Sequence, residues 1–574
     1  MDIRKITPDF AVAPQLKLRD VEDVAARGFK SILIIRPDGE ATDQVSHSRI
    51  ISEAKLHGLD IQYIPVLSGW IEETDIEQFR EAAAQLPGPI LAYCASGARS
   101  ASLWALAQAG YMSPDAIFDA AGAAGYDLMG IRSRVSSIEQ NDSRRGNATV
   151  KHTVLIVGGG AAGIATAASL RTRQKDLDIA IIEPSPDHYY QPGFTLVGGG
   201  IFHPREVIAK TERLIPSRVK WIRAGVSGFE PEINTVVLED GERIEYKSLV
   251  IAAGLQIDLD AIPGLQAALG QNGVTTNYLA DHASYTNQLA KTLMSGRAIF
   301  TQPKGPFKCA GAPQKAMYLT CDTWRKRGTL KDIEVSFHTP GAALFGIDAY
   351  VPALRSAVTR YGIDPHFQEE LVDVDGARRV ATFETRDEEH GVRRVERAFD
   401  MLHVVPPQCA MKFIAASPLA NNDGWVDVDQ ETLQHKYYPN VFAVGDCAGT
   451  PNAKTAAAAR KQAPVVAANL LEALKGRPAN YAYNGYGSCP LIVSHGKALL
   501  AEFSYGGQLD PSFPNWLVDG RKPSRFAWWL KTKFMRSIYY HLMLKGREWL
   551  AKPRRLRRAS DVPTPAPETE QRAA

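Results

Sequence analysis

The sequence predicts an α/β protein: two α/β units in series, then a C-terminal helical region. Three observations predict it. Short apolar runs alternate with helical stretches over residues 1–132. A second alternation starts at Thr153, after a polar aperiodic stretch, and runs to about residue 480. Beyond it, aromatic and then basic residues dominate. The expected boundaries are 1–132, a linker at 133–151, a main body at 152–480, a C-terminal region at 481–558, and a Pro-rich tail at 559–574 that is too polar to fold.

The composition narrows the classes. A chain of 574 residues with 45% hydrophobic content has enough apolar material for several cores. A net charge of +3 is no nucleic-acid polycation, so no nucleic-acid partner is expected. The six cysteines form no CxxC pair, which argues against a secreted disulfide framework and a structural zinc site; no metal is expected. The N-terminus has no long apolar core of a signal peptide, and no apolar run reaches the roughly 18 residues of a membrane span.

In the first unit, KSILIIRP (30–37), IQYIPV (61–66) and PILAYCA (89–95) read as strands, with helices near 19–28, 73–86 and 99–109. The third strand ends at Cys94 in CASGARSA, giving Cys94, Gly97 and Arg99 the pattern C-x-x-G-x-R. Backbone N–H groups in such a loop point at the sulfur, and a helix N-terminus with Arg99 favours a thiolate. Four residues separate Cys94 from Arg99, as in rhodanese sulfurtransferases; protein tyrosine phosphatases have five. The shorter spacing narrows the cradle and favours a persulfide sulfur over a phosphate ester. The block resembles the phosphatase-like family labelled beta-lactamase-hydrolase-like, some of whose members are called sulfurtransferases. Glu72, Glu73 and Asp75 stay open as candidate general acids.

In the second unit the strand TVLIV (153–157) runs into GGGAAG (158–163), and a helix follows. Gly158, Gly160 and Gly163 match G-x-G-x-x-G in the required strand–turn–helix context, and Glu183 ends the next strand where an acid holds a ribose. YKSLVIAAG (246–254) and VFAVGDCAG (441–449) resemble two-dinucleotide-domain flavoproteins. That resemblance implies FAD, tandem Rossmann-like domains of the disulfide-reductase type, a ribityl contact from Asp446, and Lys454 beside the flavin. After RAIFTQP (297–303), where a nicotinamide site would need a second glycine fingerprint, stands FKCAGAPQKAMYL with Cys309 between Lys308 and Lys315. Flanking lysines and a following helix depress a thiol pKa.

With DHYYQPGFTLVGGG (187–200), GWVDVD (424–429), PNAKTAAAA (451–459) and GYGSCPLIVSHGKALLAEF (485–503), residues 153–550 resemble the sulfide:quinone oxidoreductases, especially the mitochondrial type. The resemblance implies that Cys309 and Cys489 take up sulfide as a persulfide while FAD passes two electrons to quinone. It also implies flavin contacts at Ala161, Ala162, Glu183, Gln191, Val226, Asp446 and Lys454. Cys321, Cys409 and Cys447 read as structural. RFAWWLKTKFMRSIYYHLMLKGREWL (525–550) and the basic run after it suit amphipathic helices in the headgroup layer, which places the protein peripherally on the cytoplasmic side of the membrane. Cys94 would then hand sulfane sulfur to a thiol such as glutathione. A homo-oligomer is left open. So are two rival activities, an NAD(P)H-driven (CoA-)disulfide reductase and a phosphatase fused to a flavoprotein.

Overall fold

The computed structural model describes residues 1–67, 71–109, 111–136, 150–387, 391–514 and 516–556. The chain divides into two compact units, Met1–Thr149 and Val150–Ala574.

The first unit is a five-stranded sheet in the order Arg4–Thr7, Phe10–Ala13, Ile90–Tyr93, Ser31–Ile34, Asp60–Tyr63. Only the first pair is antiparallel. Period-two alternation divides the strand residues between two cores. Ile32, Ile34, Leu91 and Tyr93 pack on Val21 and Ile50. Leu33, Ile90 and Ala92 pack on Phe79 and Trp104. The strands are covered on both faces, so they read as continuous apolar runs. The three anticipated strands and three anticipated helices form, with helices at Leu18–Ala26, Glu73–Gln85 and Ala98–Gln108. The two N-terminal strands and the helices His47–Leu56 and Pro114–Ala123 carry weaker patterns, and the sequence reading missed them.

Most of the expected linker, residues 137–149, lies outside the described residues. Its last two residues, Val150 and Lys151, belong instead to the strand Val150–Val157, because Ile244 and Glu245 pair with them.

The second unit holds two dinucleotide-type sheets. One is seven-stranded, with Val150–Val157 at its centre between Ile179–Ile182 and Arg243–Ile251; Val441–Ala443 joins the latter. The other is a five-stranded parallel sheet in the order Val274–Thr275, Met401–His403, Gly296–Thr301, Ile333–Thr339, Asp364–Phe367. A hairpin, Gly487–Ser494 with Lys497–Phe503, follows. Its two faces enter different cores: Leu491, Leu499 and Ala501 go one way, and Ile492, Ala498 and Leu500 the other.

Residues 525–545 form two short helices, Arg525–Trp529 and Met535–His541, joined by a π-helical turn, Leu530–Phe534. This segment is tied down along its length. The Tyr539 hydroxyl lies 2.6 Å from His188 Nε2, Arg536 pairs with Glu206 at 3.0 Å, and Glu548 takes the guanidinium of Arg173. The region expected to lie wholly in a headgroup layer is therefore in part a wall of the protein. No helix among the described residues is long and apolar enough to cross a membrane.

Candidate active site

Gly158 follows its strand with φ +106°, and a Cβ there would stand 2.4 Å from the Ala252 carbonyl oxygen, so glycine alone fits. At Gly160 a Cβ would meet nothing within 4 Å, which leaves the lip of the loop open. The helix Ala161–Arg173 starts here with Ala161 and Ala162 at the cleft, while Gly163 packs against the Gly158 carbonyl. Glu183 accepts the Gly159 and Ser185 N–H groups, each at 2.8 Å, which fixes its carboxylate at the strand end.

Gly158, Gly160, Ala161, Ala162 and Glu183 line a cleft of about 530 Å³, together with Gln191, Asp446 and Lys454. An open glycine turn, a free helix N-terminus and an oriented acid suit a pyrophosphate and a ribose, so a flavin nucleotide fits. Burial raises the Asp446 carboxyl pKa, against the pull of Lys454 and Lys308. Lys454 donates to the Asp446 and Ala448 carbonyls at 2.5 and 3.3 Å and lies 3.8 Å from the centre of the Trp425 ring; burial lowers its pKa. Lys308 Nζ donates to the side-chain Oε1 of Gln191 at 2.8 Å. Val226 does not line the cleft; it packs in the core with Val157 and Ile182.

Cys309, which lines this cleft, meets Cys489, 180 residues away in sequence, with Sγ–Sγ 3.3 Å. Cys309 adopts φ +55°, a left-handed conformation that costs a non-glycine residue about 1–3 kcal/mol. Its N–H donates to the Lys454 carbonyl at 2.9 Å, and the Tyr278 hydroxyl donates to the Lys308 carbonyl at 3.0 Å, so the loop is pinned from both sides. Cys489 arrives on the hairpin strand. Gly311 makes room for it, since a Cβ at Gly311 would stand 2.7 Å from the Cys489 sulfur.

Lys315, in the first turn of the helix Ala312–Arg327, is 3% exposed and places its Nζ 3.1 Å from Cys309 Sγ and 3.5 Å from Cys489 Sγ. The hydrogen bond from Cys489, and then Lys315, hold the Cys309 thiol well below its ordinary pKa; the same bond and burial push Cys489 well above it. Within the pair these contacts favour a thiolate on Cys309 over one on Cys489. Burial works against the Lys315 ammonium, yet the two sulfurs keep its pKa above the ordinary value.

Lys531 also reaches this cleft, which no spacing in the sequence signals. The π-helical turn brings it inward between exposed Trp529 and Phe534, where it is 4% exposed and donates to the Pro192 carbonyl at 3.0 Å. Burial, and then Lys315, lower its pKa to about 8. Of the other cysteines, Cys321 and Cys447 are fully buried, with the Cys447 thiol donating to the Ile251 carbonyl at 3.2 Å, and Cys409 pairs on a short strand with Gln256.

In the first unit, Cys94 is buried at the end of Ile90–Tyr93, and the Gly97 N–H points to its sulfur at 3.2 Å. Arg99 makes different contacts from those the motif suggests. Its guanidinium donates to the Val66 carbonyl at 2.6 Å and pairs with Glu40 at 2.9 Å, leaving Nε buried without a protein partner. Arg99 and then Arg36, at 2.9 Å, hold the Glu40 carboxyl below its ordinary pKa. Among the candidate acids, Asp75 accepts the Glu72 N–H at 2.8 Å and so caps the helix it starts.

The fold and the site together define a flavin oxidoreductase of the disulfide-reductase class, with a thiol pair where a nicotinamide loop would stand. Residues 152–299 match the model for pyridine nucleotide-disulphide oxidoreductases, and residues 2–111 match that for the phosphatase-like domain of beta-lactamase hydrolase-like protein. The chain is 41% identical over 402 residues to the mitochondrial sulfide:quinone oxidoreductase of Dictyostelium discoideum, covering 70% of this chain and 87% of that protein. It is 36% identical over 395 residues to that of Mus musculus, covering 69% and 87%. The chain belongs to the sulfide:quinone oxidoreductase family. The solved sulfide:quinone oxidoreductase of Aquifex aeolicus shares the fold, with a TM-score of 0.57 at 21% identity over 70% of this chain and 92% of that one. The N-terminal unit is similar to the beta-lactamase hydrolase-like protein of Agrobacterium fabrum, 35% identical over 126 residues, which are 22% of this chain and 29% of that protein.

Proposed function

We propose that residues 152–480 oxidise sulfide at Cys309 and Cys489 and pass the electrons through FAD to quinone, and that residues 1–132 carry the resulting sulfane sulfur through Cys94 to a thiol such as glutathione. The observation that carries this reading is the thiol pair at 3.3 Å beneath a buried lysine, on the wall of the dinucleotide cleft. Gly158, Gly160, Ala161, Ala162, Gly163, Glu183, Gln191, Asp446 and Lys454 would hold the FAD. When bound, the flavin supplies a two-electron acceptor beside the sulfurs.

The chain's own residues do the sulfur chemistry. In the oxidised enzyme an S–S bond joins the pair in place of the two separate sulfurs described above. HS⁻ attacks one sulfur, that bond breaks, one cysteine becomes a persulfide and the other leaves as a thiolate. Lys315 stabilises the leaving thiolate. An acceptor thiolate then takes the outer sulfur and restores a second cysteine thiolate. The two thiolates rejoin and give up two electrons.

Cys94 suits the acceptor role. Its backbone cradle holds one sulfur, and the Arg99 donors are already taken up by Glu40 and the Val66 carbonyl, which leaves fewer of them for a phosphate dianion. Quinone is lipid-soluble, and exposed Phe526, Trp529 and Phe534 with basic Arg554 and Arg555 suit the headgroup layer on the cytoplasmic side of the membrane.

The test is anaerobic mixing of the yellow protein with sulfide and then a soluble quinone. Bleaching by sulfide but not NADPH, reversed by quinone, is expected. Bleaching by NADPH alone would move the protein to the disulfide-reductase class. Aryl phosphate turnover that disappears in Cys94→Ser would make the first unit a phosphatase.

A further inference from the structure

Reduction of a quinone consumes two electrons and two protons. The electrons have a route in the function proposed above, on which this inference rests; the protons need a donor inside the cleft. We infer that Glu502 delivers them to the quinone and is reloaded from solvent through Ser512.

The hairpin that brings Cys489 to Cys309 has a second face. Cys489 pairs with Ala501, and the adjacent Ser488 pairs with Glu502. Side chains alternate across a sheet, so sulfur lies on one face and the carboxyl on the other. Ser488, Pro490, Leu500 and Glu502, all from that second face, line the cleft. Sulfur chemistry and quinone chemistry thus take opposite sides of one two-stranded wall.

Glu502 is 4% exposed. Its carboxylate accepts the Ser512 hydroxyl at 2.5 Å, the Ser512 N–H at 3.1 Å and the Tyr486 hydroxyl. Lys461, over the Tyr486 ring at 4.8 Å, feels its charge, and among the described residues no cation pairs with it directly. Three hydrogen-bond donors hold the buried carboxyl in one position on the cleft wall, two of them hydroxyl groups that can pass a proton. Ser512 is exposed, so it joins the buried carboxyl to bulk water.

An approach for the quinone leads to the same place. Exposed Phe534 stacks on exposed Trp529 at 5.7 Å, Trp529 lies 6.3 Å from Phe526, and Phe526 meets Phe513 edge-on at 5.9 Å. Phe513 lines the cleft and adjoins Ser512 in sequence. An apolar molecule with a polar head that follows these rings arrives with its head at Ser512 and Glu502.

The balance is simple. Quinone plus two electrons plus one proton from the Glu502 carboxyl gives the quinol anion. Glu502 takes a proton from water through Ser512 and gives it up again, which completes the quinol.

The experiment separates the two half-reactions in the full-length, flavin-loaded protein. Sulfide-driven bleaching tests the proposed function; reoxidation of the bleached protein by a soluble quinone tests this inference. Glu502→Gln should slow reoxidation about 10²-fold. It should also remove a protonated-carboxyl band from the infrared difference spectrum between the reduced and oxidised protein. Ser512→Ala, which keeps the carboxyl, should slow reoxidation about tenfold and is the variant to use if the glutamine protein fails to bind flavin. Reoxidation of either variant at the unmodified rate after normal bleaching overturns the inference. Failure of sulfide to bleach the unmodified protein overturns the proposed function instead.

Discussion

The two thiol sites of this chain stabilise sulfur by different means. Cys94 has a backbone N–H at 3.2 Å and an arginine already paired with a carboxylate. Cys309 has a second sulfur at 3.3 Å and a buried ammonium at 3.1 Å. A lone thiolate held by backbone dipoles can receive a sulfur and give it up without net oxidation. A pair can close an S–S bond and release two electrons. In the function proposed above, this difference gives the redox work to the site with two sulfurs and a buried ammonium, and the carrier work to the site with one sulfur.

The largest effect expected comes from breaking the pair. Cys309→Ser should lower the rate of sulfide-driven bleaching by roughly 10³-fold or more, since no S–S bond can form. Stopped-flow absorbance reads it, and bleaching at an ordinary rate would end the distinction between the sites. Cys94→Ser is the converse. Bleaching and reoxidation should proceed as before, while delivery of sulfane sulfur to an added thiol falls by roughly 10²-fold, read by mass spectrometry of the persulfide product.

A smaller effect concerns charge at the pair. Lys531 loses its proton as pH rises through about 8, so HS⁻ meets two ammonium groups below that pH and one above it. The kcat/KM for sulfide should therefore fall a few-fold across that rise, and Lys531→Met should flatten this limb of the profile. The smallest effect is at the other site. Glu40→Gln removes the carboxylate that pairs with Arg99 and Arg36, adds a net positive charge to the unit, and should speed alkylation of Cys94 by an anionic reagent about two- to five-fold. A slowing instead would mean that Glu40 serves to aim Arg99.

The legible parts were those encoded in short stretches of chain. The glycine turn, Glu183 and the Cys309 loop each sit in one window of residues whose spacing carries the geometry. Contacts between distant segments were hidden. Arg99 and Glu40 are 59 residues apart, and Tyr539 and His188 are 351. Lys531 was unreadable for a local reason as well. A π-helical turn inserts about one extra residue per turn, so the face predicted at 3.6 residues per turn slips, and a lysine assigned to the headgroups turns into the cleft. Glu502 stood inside a motif already credited to Cys489, and the strand alternation that puts it on the opposite face became visible only with the pairing register.

The cleft wall contributed by Leu530, Lys531, Met535 and Tyr539 also carries information about synthesis. A ribosome makes Gly158 through Lys454 before it makes any of these four. The residues of the nucleotide seat therefore leave the ribosome ahead of the wall that Tyr539 and Glu548 tie to them. The order of the genetic message thus leaves room for a nucleotide to enter before that wall docks.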